Sequence, residues 1–275
     1  MSLELQAFHA FEHAGWMDPQ VCSKYHERFS QVTRQSVDAL LDSACVGAGS
    51  RVLDVATGAG YVAGAAAARG ADATGVDFSE QQVALARRLY PGLHFQVGSA
   101  DALPLADGHF DCVVCAFGMP HFPDPARALA EAFRVLKPGG HVAFTVWDAP
   151  ERAIGFGAVY AAIRAHGSLD VGLPSGPSFF LFSDPAECAR ALTGARFVSP
   201  SVATVPQVWS MDSPDEAFDT IAHGTVRASA TLRAQTPSAR DAIRQALREA
   251  ISQLRSGDRY VVPMPAVLAC ATKPA

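Results

Sequence analysis

The sequence lacks several features that would point to particular classes of protein. It contains no asparagine, so it offers no acceptor for N-glycosylation. Lysine occurs only at positions 24, 137 and 273, and 22 basic against 27 acidic residues give a formal net charge of -5. Basic residues form no run, and no apolar stretch reaches the roughly 20 residues that span a bilayer. These absences argue against a nucleic-acid-binding module and against a membrane protein.

The cysteines and the amino-terminal residues predict a reduced, cytoplasmic protein. Six cysteines are scattered among apolar neighbours, a pattern typical of buried thiols. Residues 1–14 have no basic region and are interrupted by Glu and His, which is not the pattern of a signal peptide. Apolar residues make up 49% of the 275 positions, enough for a large core. The preference for Ala and Arg over Lys is typical of a GC-rich bacterial genome.

Short apolar runs alternate with helical patterns through the first half of the chain, and no repeat is present. Strands separated by helices of this length pair in parallel through right-handed crossovers. The predicted fold class is therefore α/β, with a Rossmann-like, mostly parallel seven-stranded sheet and helices on both of its faces. The strands are predicted at residues 51–56, 73–77, 93–97, 110–116 and 141–147, the helices at 61–69, 79–89 and 124–136, and a turn at 137–140.

The other segments predict a helical cap over this sheet. Residues 19–44 show the three- and four-residue apolar spacing of a helix. No linker divides the chain, so the interpretation is one domain over residues 1–275. Its parts are an N-terminal helical cap at 1–48, a ligand-binding core at 49–148, cap insertions at 149–182 and 212–257, and the remainder of the sheet at 183–211 and 258–275. An aromatic run at 177–182 is a candidate pocket wall.

A glycine-rich loop follows the first predicted strand. The stretch Asp54-Val-Ala56-Thr-Gly58-Ala-Gly60 continues into a helical pattern, and from Gly58 it fits G-x-G-x-x-G/A. Glycine allows close approach of the backbone to a ligand, and the next helix presents free N–H groups there. By itself the motif also fits nicotinamide and flavin enzymes, or an ordinary strand-to-helix turn.

Two further acids lie at the ends of the next two predicted strands. Asp77 ends the second strand, where a carboxylate can accept both hydroxyls of a ribose, although it could equally cap the next helix. Asp101 follows the third strand and could accept from an exocyclic amine. Together with Asp54, these acids would face the crevice in which open α/β sheets bind ligands.

Residues 51–147 resemble the class I S-adenosylmethionine (SAM)-dependent methyltransferases that act on small molecules. The resemblance is carried, in family order and spacing, by Asp54–Gly60, Asp77, Asp101-Ala102, Phe110-Asp111 and Leu136-Lys-Pro-Gly-Gly140. It implies SAM as cofactor and S-adenosylhomocysteine (SAH) as product. The predicted function is in-line transfer of a methyl group to a small, partly apolar acceptor, for example an aromatic or heterocyclic metabolite, in a capped pocket. Neither nucleic acid nor a membrane is expected as a partner.

The resemblance also implies roles for individual residues. Asp54 would lie near the methionine ammonium, and Asp77 would hold the ribose. The other implied cofactor contacts are Ala56, Gly58 and Gly60 in the loop, Phe78, Ala100, Asp101 and Ala102 around the adenine, Phe117 as a wall, and Tyr25 closing over the cofactor. The family often has Gly where this chain has Ala56, and we expect Ala to be tolerated there if its φ is negative.

His121 is the candidate general base or acceptor contact. It follows the fourth predicted strand, where the family places residues close to the methyl group. A structural role for this histidine is the alternative.

Two other motifs predict no chemistry. His9-Ala-Phe-Glu12-His13 has the H-x-x-E-H spacing, but a third ligand is not evident, and no metal site is predicted. Cys112-Val-Val-Cys115 lies within a predicted strand, so the two thiols should point to opposite faces.

Two other functions remain open at this point. One is an NAD(P)-dependent oxidoreductase on a similar sheet. The other is a catalytically silent SAM-binding regulatory protein, which the fold alone does not separate from an enzyme.

Overall fold

A computed structural model describes residues 2–275, and Met1, the first residue of the predicted N-terminal cap, lies outside this range. Seven strands form a sheet in the order β3-β2-β1-β4-β5-β10-β6, in which β1 to β5 pair in parallel and β10 runs antiparallel to both of its neighbours. These strands are β1 (Arg51–Val55), β2 (Asp72–Asp77), β3 (His94–Val97), β4 (Phe110–Ala116), β5 (Leu136–Trp147), β6 (Val198–Val205) and β10 (Ala266–Thr272). The predicted fold class is confirmed.

Twelve α-helices surround the sheets of the described residues. They are α1 (Leu3–Trp16), α2 (Pro19–Lys24), α3 (Ser30–Thr33), α4 (Val37–Ser43), α5 (Tyr61–Ala68), α6 (Glu80–Leu89), α7 (Pro125–Val135), α8 (Ile154–His166), α9 (Pro185–Gly194), α10 (Asp215–Gly224), α11 (Arg227–Arg233) and α12 (Pro237–Ser252). None of them is both long and apolar enough to cross a membrane.

Helices cover both faces of the large sheet. α4, α5 and α6 pack on one face, and α7 and α9 pack on the other. Cys112 belongs to the first of these cores and Cys115 to the second, which confirms that the two thiols point to opposite faces. Since both faces are covered, ligands can reach the sheet only at its strand ends.

Two local predictions are wrong. Residues 137–140 are the first part of β5 and not a turn. The backbone N–H of Gly139 donates to the carbonyl of Lys273, which holds this segment extended. Beside β4, the pairing register shifts between Phe110 and Cys112, and this irregularity accommodates the additional residues. The single helix predicted over residues 19–44 is broken by a π-helical turn at Tyr25–Phe29 and a 3-10 turn at Arg34–Ser36. The hydroxyl of Ser30 donates to the carbonyl of His26 at 2.6 Å, a side-chain bond that bends helices.

The cap forms a third core above the carboxyl end of the sheet. Helices α8, α10, α11 and α12 pack there with the π-helical turn and with a small antiparallel sheet of β7 (Val208–Met211), β9 (Arg259–Pro263) and β8 (Arg255–Ser256). β7 and β9 lie within the ranges predicted to complete the large sheet, but they pair with each other. Likewise α4, within the predicted N-terminal cap, packs on the sheet face.

Candidate active site

Two adjoining cavities lie at the carboxyl ends of β1, β2 and β4. The crevice cavity has a volume of about 840 Å³, which includes space open to solvent, and is lined by the loops after these strands and by the N-terminal helices. The aromatic cavity has a volume of about 530 Å³ on the same measure and lies beneath α8 and α11. Trp16, Tyr25, Phe117 and His121 line both cavities, so these four residues form the boundary between them.

Asp54 is the deepest acid of the crevice cavity. Its side chain is 1% exposed, and its Oδ2 accepts from the hydroxyl of Thr57 at 2.5 Å and from the backbone N–H of Ala63 at 3.1 Å. Its Oδ1 is buried without a hydrogen-bond partner among the described residues. Burial raises the pKa of Asp54 to about 7, against the effect of these two hydrogen bonds. A cationic ligand group would satisfy the unpartnered oxygen.

Asp77 is fixed through both of its oxygens. Oδ2 accepts from the N–H of Gly58 at 2.9 Å, and Oδ1 accepts from the N–H of Ser79 at 2.9 Å. Burial raises the pKa of this carboxyl to about 6, while the two N–H groups and His121 act in the opposite direction. The carboxylate therefore shapes the glycine loop, and each oxygen can still accept a further hydrogen bond from a ligand.

The loop after β1 has a conformation that we did not expect at Ala56. Ala56 has a φ of +54°, so the condition of a negative φ, under which we expected Ala to be tolerated here, is not met. The following turn, with Gly58 at +53° and Gly60 at +82°, requires this sharp change in chain direction. The left-handed conformation costs a residue with a Cβ about 1–2 kcal/mol. Phe117, at the end of β4, has a φ of +58°, so strained residues meet at the crevice cavity from two strands.

We expect Ala56→Gly to raise the free energy of unfolding by about 0.5–1 kcal/mol, because the relief of strain exceeds the added entropy of glycine in the unfolded chain. The measurement is urea unfolding of the purified variant. Ala59→Gly is the matched control: Ala59 is in the same loop without a positive φ, so this change should destabilise. A loss of stability in Ala56→Gly would contradict the strain argument.

The crevice cavity contains most of the residues predicted to bind the cofactor. Those that line it are Tyr25, Asp54, Ala56, Gly58, Asp77, Phe78 and Phe117, together with His121. Gly60 does not line it, because a Cβ at this position would lie 2.9 Å from the ring of Phe95, so its close contact is with the core. Ala100, Asp101 and Ala102 follow β3 outside the cavity wall. The carboxylate of Asp101 accepts from the hydroxyl of Ser99.

Arg34 and Glu12 were not found by sequence reasoning. Within residues 2–275, Arg34 is the only Lys or Arg that lines the crevice cavity, and its guanidinium lies 4.8 Å from the centroid of the Tyr61 ring. No sequence motif identifies Arg34, because its side chain reaches the cavity only through the 3-10 turn after α3. Glu12 belongs to the H-x-x-E-H motif, whose spacing was the available signal, although the sequence predicted no chemistry for this motif.

His121 forms an ion-pair geometry with Glu12 from the N-terminal helix. Its Nδ1 lies 2.8 Å from Oε2 of Glu12, whose side chain is 3% exposed. An ionised carboxylate only accepts, so Nδ1 carries the hydrogen, and Nε2 of a neutral ring is left with a free lone pair. The ring of Trp16 packs against His121 edge to face, with centroids 5.3 Å apart. This is the arrangement of a base held by an orienting acid.

The two histidines of the same motif lie elsewhere. His13 and His9 pack against Phe78, with ring centroids at 5.5 and 6.3 Å. Helix α1 is also attached to this strand end, since the hydroxyl of Ser79 donates to the carbonyl of Trp16 at 2.6 Å. The H-x-x-E-H residues therefore hold α1 over the crevice cavity.

Aromatic side chains form most of the wall of the aromatic cavity. These are Trp16, Tyr25, Phe29, Phe117, Trp147, Phe156, Tyr160 and Phe179. Phe179 comes from the aromatic run in the first cap insertion. Phe29 contacts Trp147 and Trp209 at centroid distances of 5.3 and 5.2 Å, which makes this wall rigid. The cavity fits a flat, largely apolar molecule.

Comparison with known proteins agrees with this geometry. Residues 53–144 match the family described as "Methyltransferase domain". The demethylmenaquinone methyltransferase of Renibacterium salmoninarum is 38% identical over 118 residues, which are 43% of this chain and 50% of that protein. That of Thermus thermophilus is 41% identical over 133 residues, 46% of this chain and 58% of that protein. The chain thus spans about half the length of these curated relatives.

A solved structure shows the same fold. Phosphoethanolamine N-methyltransferase 2 of Haemonchus contortus, determined with phosphomonomethylethanolamine and SAH, has a TM-score of 0.53 and 19% identity, covering 87% of this chain and 52% of that one. The family match, the sheet order and the acids at the strand ends agree with one another. Residues 53–144 of this chain are therefore similar to known methyltransferase domains.

Proposed function

We propose that this protein transfers the methyl group of SAM to a small aromatic acceptor. The observation that carries the proposal is the pair of adjoining cavities, one lined by charged groups and the other by aromatic rings, with four residues common to both. A cofactor in the crevice cavity and an acceptor in the aromatic cavity would meet at Phe117 and His121.

The charges of the crevice cavity fit SAM. The unpartnered Oδ1 of Asp54 would accept from the methionine ammonium, and Arg34 would bind the methionine carboxylate. Asp77 would accept the ribose hydroxyls in addition to its two backbone donors. The adenine contacts of Phe78 and residues 100–102 remain predictions.

The same residues fit a dinucleotide poorly. A pyrophosphate needs free N–H groups in the glycine loop. Here the N–H of Gly58 is donated to Asp77, that of Gly60 to the carbonyl of Thr57, and that of Ala63 to Asp54. Two buried carboxyls would also repel the phosphates. This argues against the oxidoreductase alternative.

In methyl transfer, the main contribution of this site would be to position the acceptor against the methyl group of SAM. When bound, SAM supplies an electrophilic methyl group on a sulfonium. The aromatic walls would orient the acceptor, an effect that can contribute on the order of 7–11 kcal/mol. His121 would take a proton at Nε2 from the reacting atom of the acceptor, and Glu12 would hold the ring in the orientation this requires.

The identity of the acceptor is a separate question from the class of reaction. The curated relatives are named for demethylmenaquinone, a quinone, and a quinone-type acceptor would suit the aromatic cavity. Of the residues that line this cavity, however, only Phe117 and His121 fall within the matched family range, 53–144. Apart from Trp147 at the end of β5, the rest belong to the cap, so we propose that the cap selects the acceptor.

The test combines ligand-dependent thermal unfolding with turnover. A ligand at 100 times its Kd stabilises by roughly 2.7 kcal/mol, or about 5–10 °C at this length. We expect such a rise with SAM and SAH but not with NAD(H) or NADP(H), and SAH formation with aromatic acceptors. A rise with NAD(H) alone would overturn the proposal, and binding of SAM without turnover of any acceptor would favour a regulatory protein.

Cofactor affinity should depend on pH through Asp54. Its pKa of about 7 means that acidification protonates the carboxyl and removes the charge that binds the ammonium. We expect the affinity for SAH to fall as the pH is lowered from about 8 to about 5, by up to about tenfold per pH unit. Isothermal titration calorimetry of the wild type and Asp54→Asn measures this slope.

Asp54→Asn keeps the two acceptor bonds of Asp54 but has no titrating group, so its slope should be smaller. A residual slope is expected from Asp77, whose pKa of about 6 lies in the same range. Equal slopes in the two proteins would contradict the role given to Asp54.

We also propose that the protein works in a reducing compartment such as the cytoplasm. All six cysteines are free. Burial raises the thiol pKa to about 12 at Cys22, Cys112, Cys115 and Cys188. Such thiols are unreactive and behave as small apolar side chains, in agreement with a core that needs no oxidation to fold.

A further inference from the structure

We infer that the aromatic cavity binds an acceptor that carries an anionic oxygen, most simply an aromatic carboxylate, and that Arg227 is the residue that recognises it. The inference rests on the proposed function and specifies the substrate class of that site. It starts from a cation at the cavity wall that has no counterion.

Arg227 is the first residue of α11, and no other Lys or Arg among the described residues lines the aromatic cavity. Its Nη2 donates to the carbonyl of Pro174 at 2.9 Å. Its Nη1 is buried and has no hydrogen-bond partner among the described residues. Within residues 2–275 no carboxylate lies within ion-pair distance of this guanidinium, whereas Arg28, Arg244 and Arg248 of the cap each have such a partner.

The surroundings of Arg227 are largely apolar. The rings of Phe8 and Phe11, both on α1, lie 6.0 Å from the guanidinium carbon. A guanidinium cannot lose its proton under these conditions, so its charge must be satisfied by another group. A partly buried cation that has no counterion and one unpartnered, buried nitrogen is costly, and a ligand that supplies the anion recovers this cost. Arginine is suited to a carboxylate because its planar N–H groups match the two oxygens.

A second polar group lies on the same wall. Tyr160 lines the aromatic cavity, and its hydroxyl has no hydrogen-bond partner among the described residues. The positive charge of Arg227 acts on this phenol, opposing the rise in the pKa of Tyr160 caused by burial. Tyr160 and Arg227 together would give an oxyanion one neutral and one charged donor.

Charge also fixes the orientation of such an acceptor. Asp54 and Asp77 lie in the crevice cavity, and no Asp or Glu is among the described residues that line the aromatic cavity. An anionic group would therefore be repelled from the cofactor side and held at Arg227. The opposite edge of the ring would then face His121 and the boundary between the cavities.

The test compares an acid with its neutral ester in otherwise identical ligands. We would measure the Kd of 6-hydroxy-2-naphthoate and of its methyl ester by calorimetry, with and without SAH. The wild type should bind the acid about 10- to 100-fold more tightly than the ester. Arg227→Met should lose this preference, and Arg227→Lys should keep part of it.

Arg233→Met is the matched control. Arg233 lies on the same helix and donates to the hydroxyl of Ser229 at 2.7 Å, but it does not line the cavity. It should keep the full preference for the acid. Equal affinity of the wild type for acid and ester, or an unchanged preference in Arg227→Met, would overturn the inference.

The melting temperature and the binding of SAH distinguish the different ways in which the inference could be wrong. If Arg227 only ties the loop at Pro174 to α11, its loss would lower the melting temperature and weaken both ligands equally, which overturns the inference. If Arg227→Met does not fold, the ratio of the Kd values for acid and ester, measured in the wild type and in Arg227→Lys, decides whether Arg227 recognises the acid. Absence of SAH binding in the wild type would refute the proposed function, whereas the ligand preference refutes or supports only the role of Arg227.

Discussion

Replacing Asp77 with alanine should raise the Kd for SAH by at least about 100-fold, since two hydrogen bonds to a charged group are lost and each contributes about 1.5–3 kcal/mol. The carboxylate has two functions in this geometry. It would accept from the ribose, and it holds the loop by accepting from the N–H groups of Gly58 and Ser79 at 2.9 Å each. Thermal unfolding with and without SAH, together with calorimetry, measures the loss.

Asp77→Asn makes this prediction sharper. The two oxygens of Asp77 both face backbone donors, so an amide NH2 must face one of these N–H groups. We therefore expect Asn to bind SAH nearly as poorly as Ala does, although it has the same size. Asp72→Asn, at the exposed start of the same strand, is the control and should bind normally. Normal binding by Asp77→Asn would show that only the volume of the side chain matters.

Loss of His121 should have the second large effect. We expect His121→Ala to lower kcat by about 10²- to 10⁴-fold, the usual contribution of a positioned general base. Because His121 also lines both cavities, a fall in kcat alone would not identify its role. Added imidazole should restore part of kcat in His121→Ala if Nε2 takes a proton, but not if the ring acts only as a wall.

We propose that Glu12 is a positioning residue, and a test of this role must distinguish an effect on the orientation of His121 from an effect on folding. Glu12→Gln should lower kcat by about 10- to 100-fold, because a hydrogen bond from Nδ1 of His121 to a charged group contributes about 1.5–3 kcal/mol. The KM for the acceptor and the Kd for SAH should stay close to those of the wild type. Glu4→Gln, on the exposed part of α1, should have no effect.

The outcome for Glu12 separates two explanations. If Glu12→Gln weakens SAH binding and lowers the melting temperature while kcat is kept, then Glu12 attaches α1 to the crevice and does not orient a base. Such a result would also leave His121 with the structural role that the sequence allowed for it.

Much of the sheet could be predicted from the sequence, because its determinants are local. Buried strands such as β1 and β4 are short apolar runs bounded by turn residues, and each is followed by a helix that begins with a recognisable signal. Ser79 accepts from the N–H of Gln82 and Asp124 from that of Arg127, as their positions before the helices indicate. Patterns of this kind are independent of distant parts of the chain.

The predictions that were wrong depend on distant contacts. Residues 137–140 contain Pro-Gly-Gly, which locally favours a turn, but the backbone of Lys273 pairs with Gly139 and extends the strand. Ala56 is helical or extended by local preference, and the connection between β1 and α5 forces it to a positive φ. Tertiary structure overrides a local preference where it provides more hydrogen bonds or better packing.

The sequence by itself determined the fold class, the crevice at the strand ends and the position of Asp54 and Asp77 in it, because strand ends and glycine loops are encoded by consecutive residues. Only the tertiary structure decided which residues of the cap face the crevice cavity and the aromatic cavity. Glu12 reaches His121 across 109 positions of the chain, and Arg227 meets Pro174 across 53. No periodicity encodes such pairs, since they arise when helices far apart in sequence bury their apolar faces against one another.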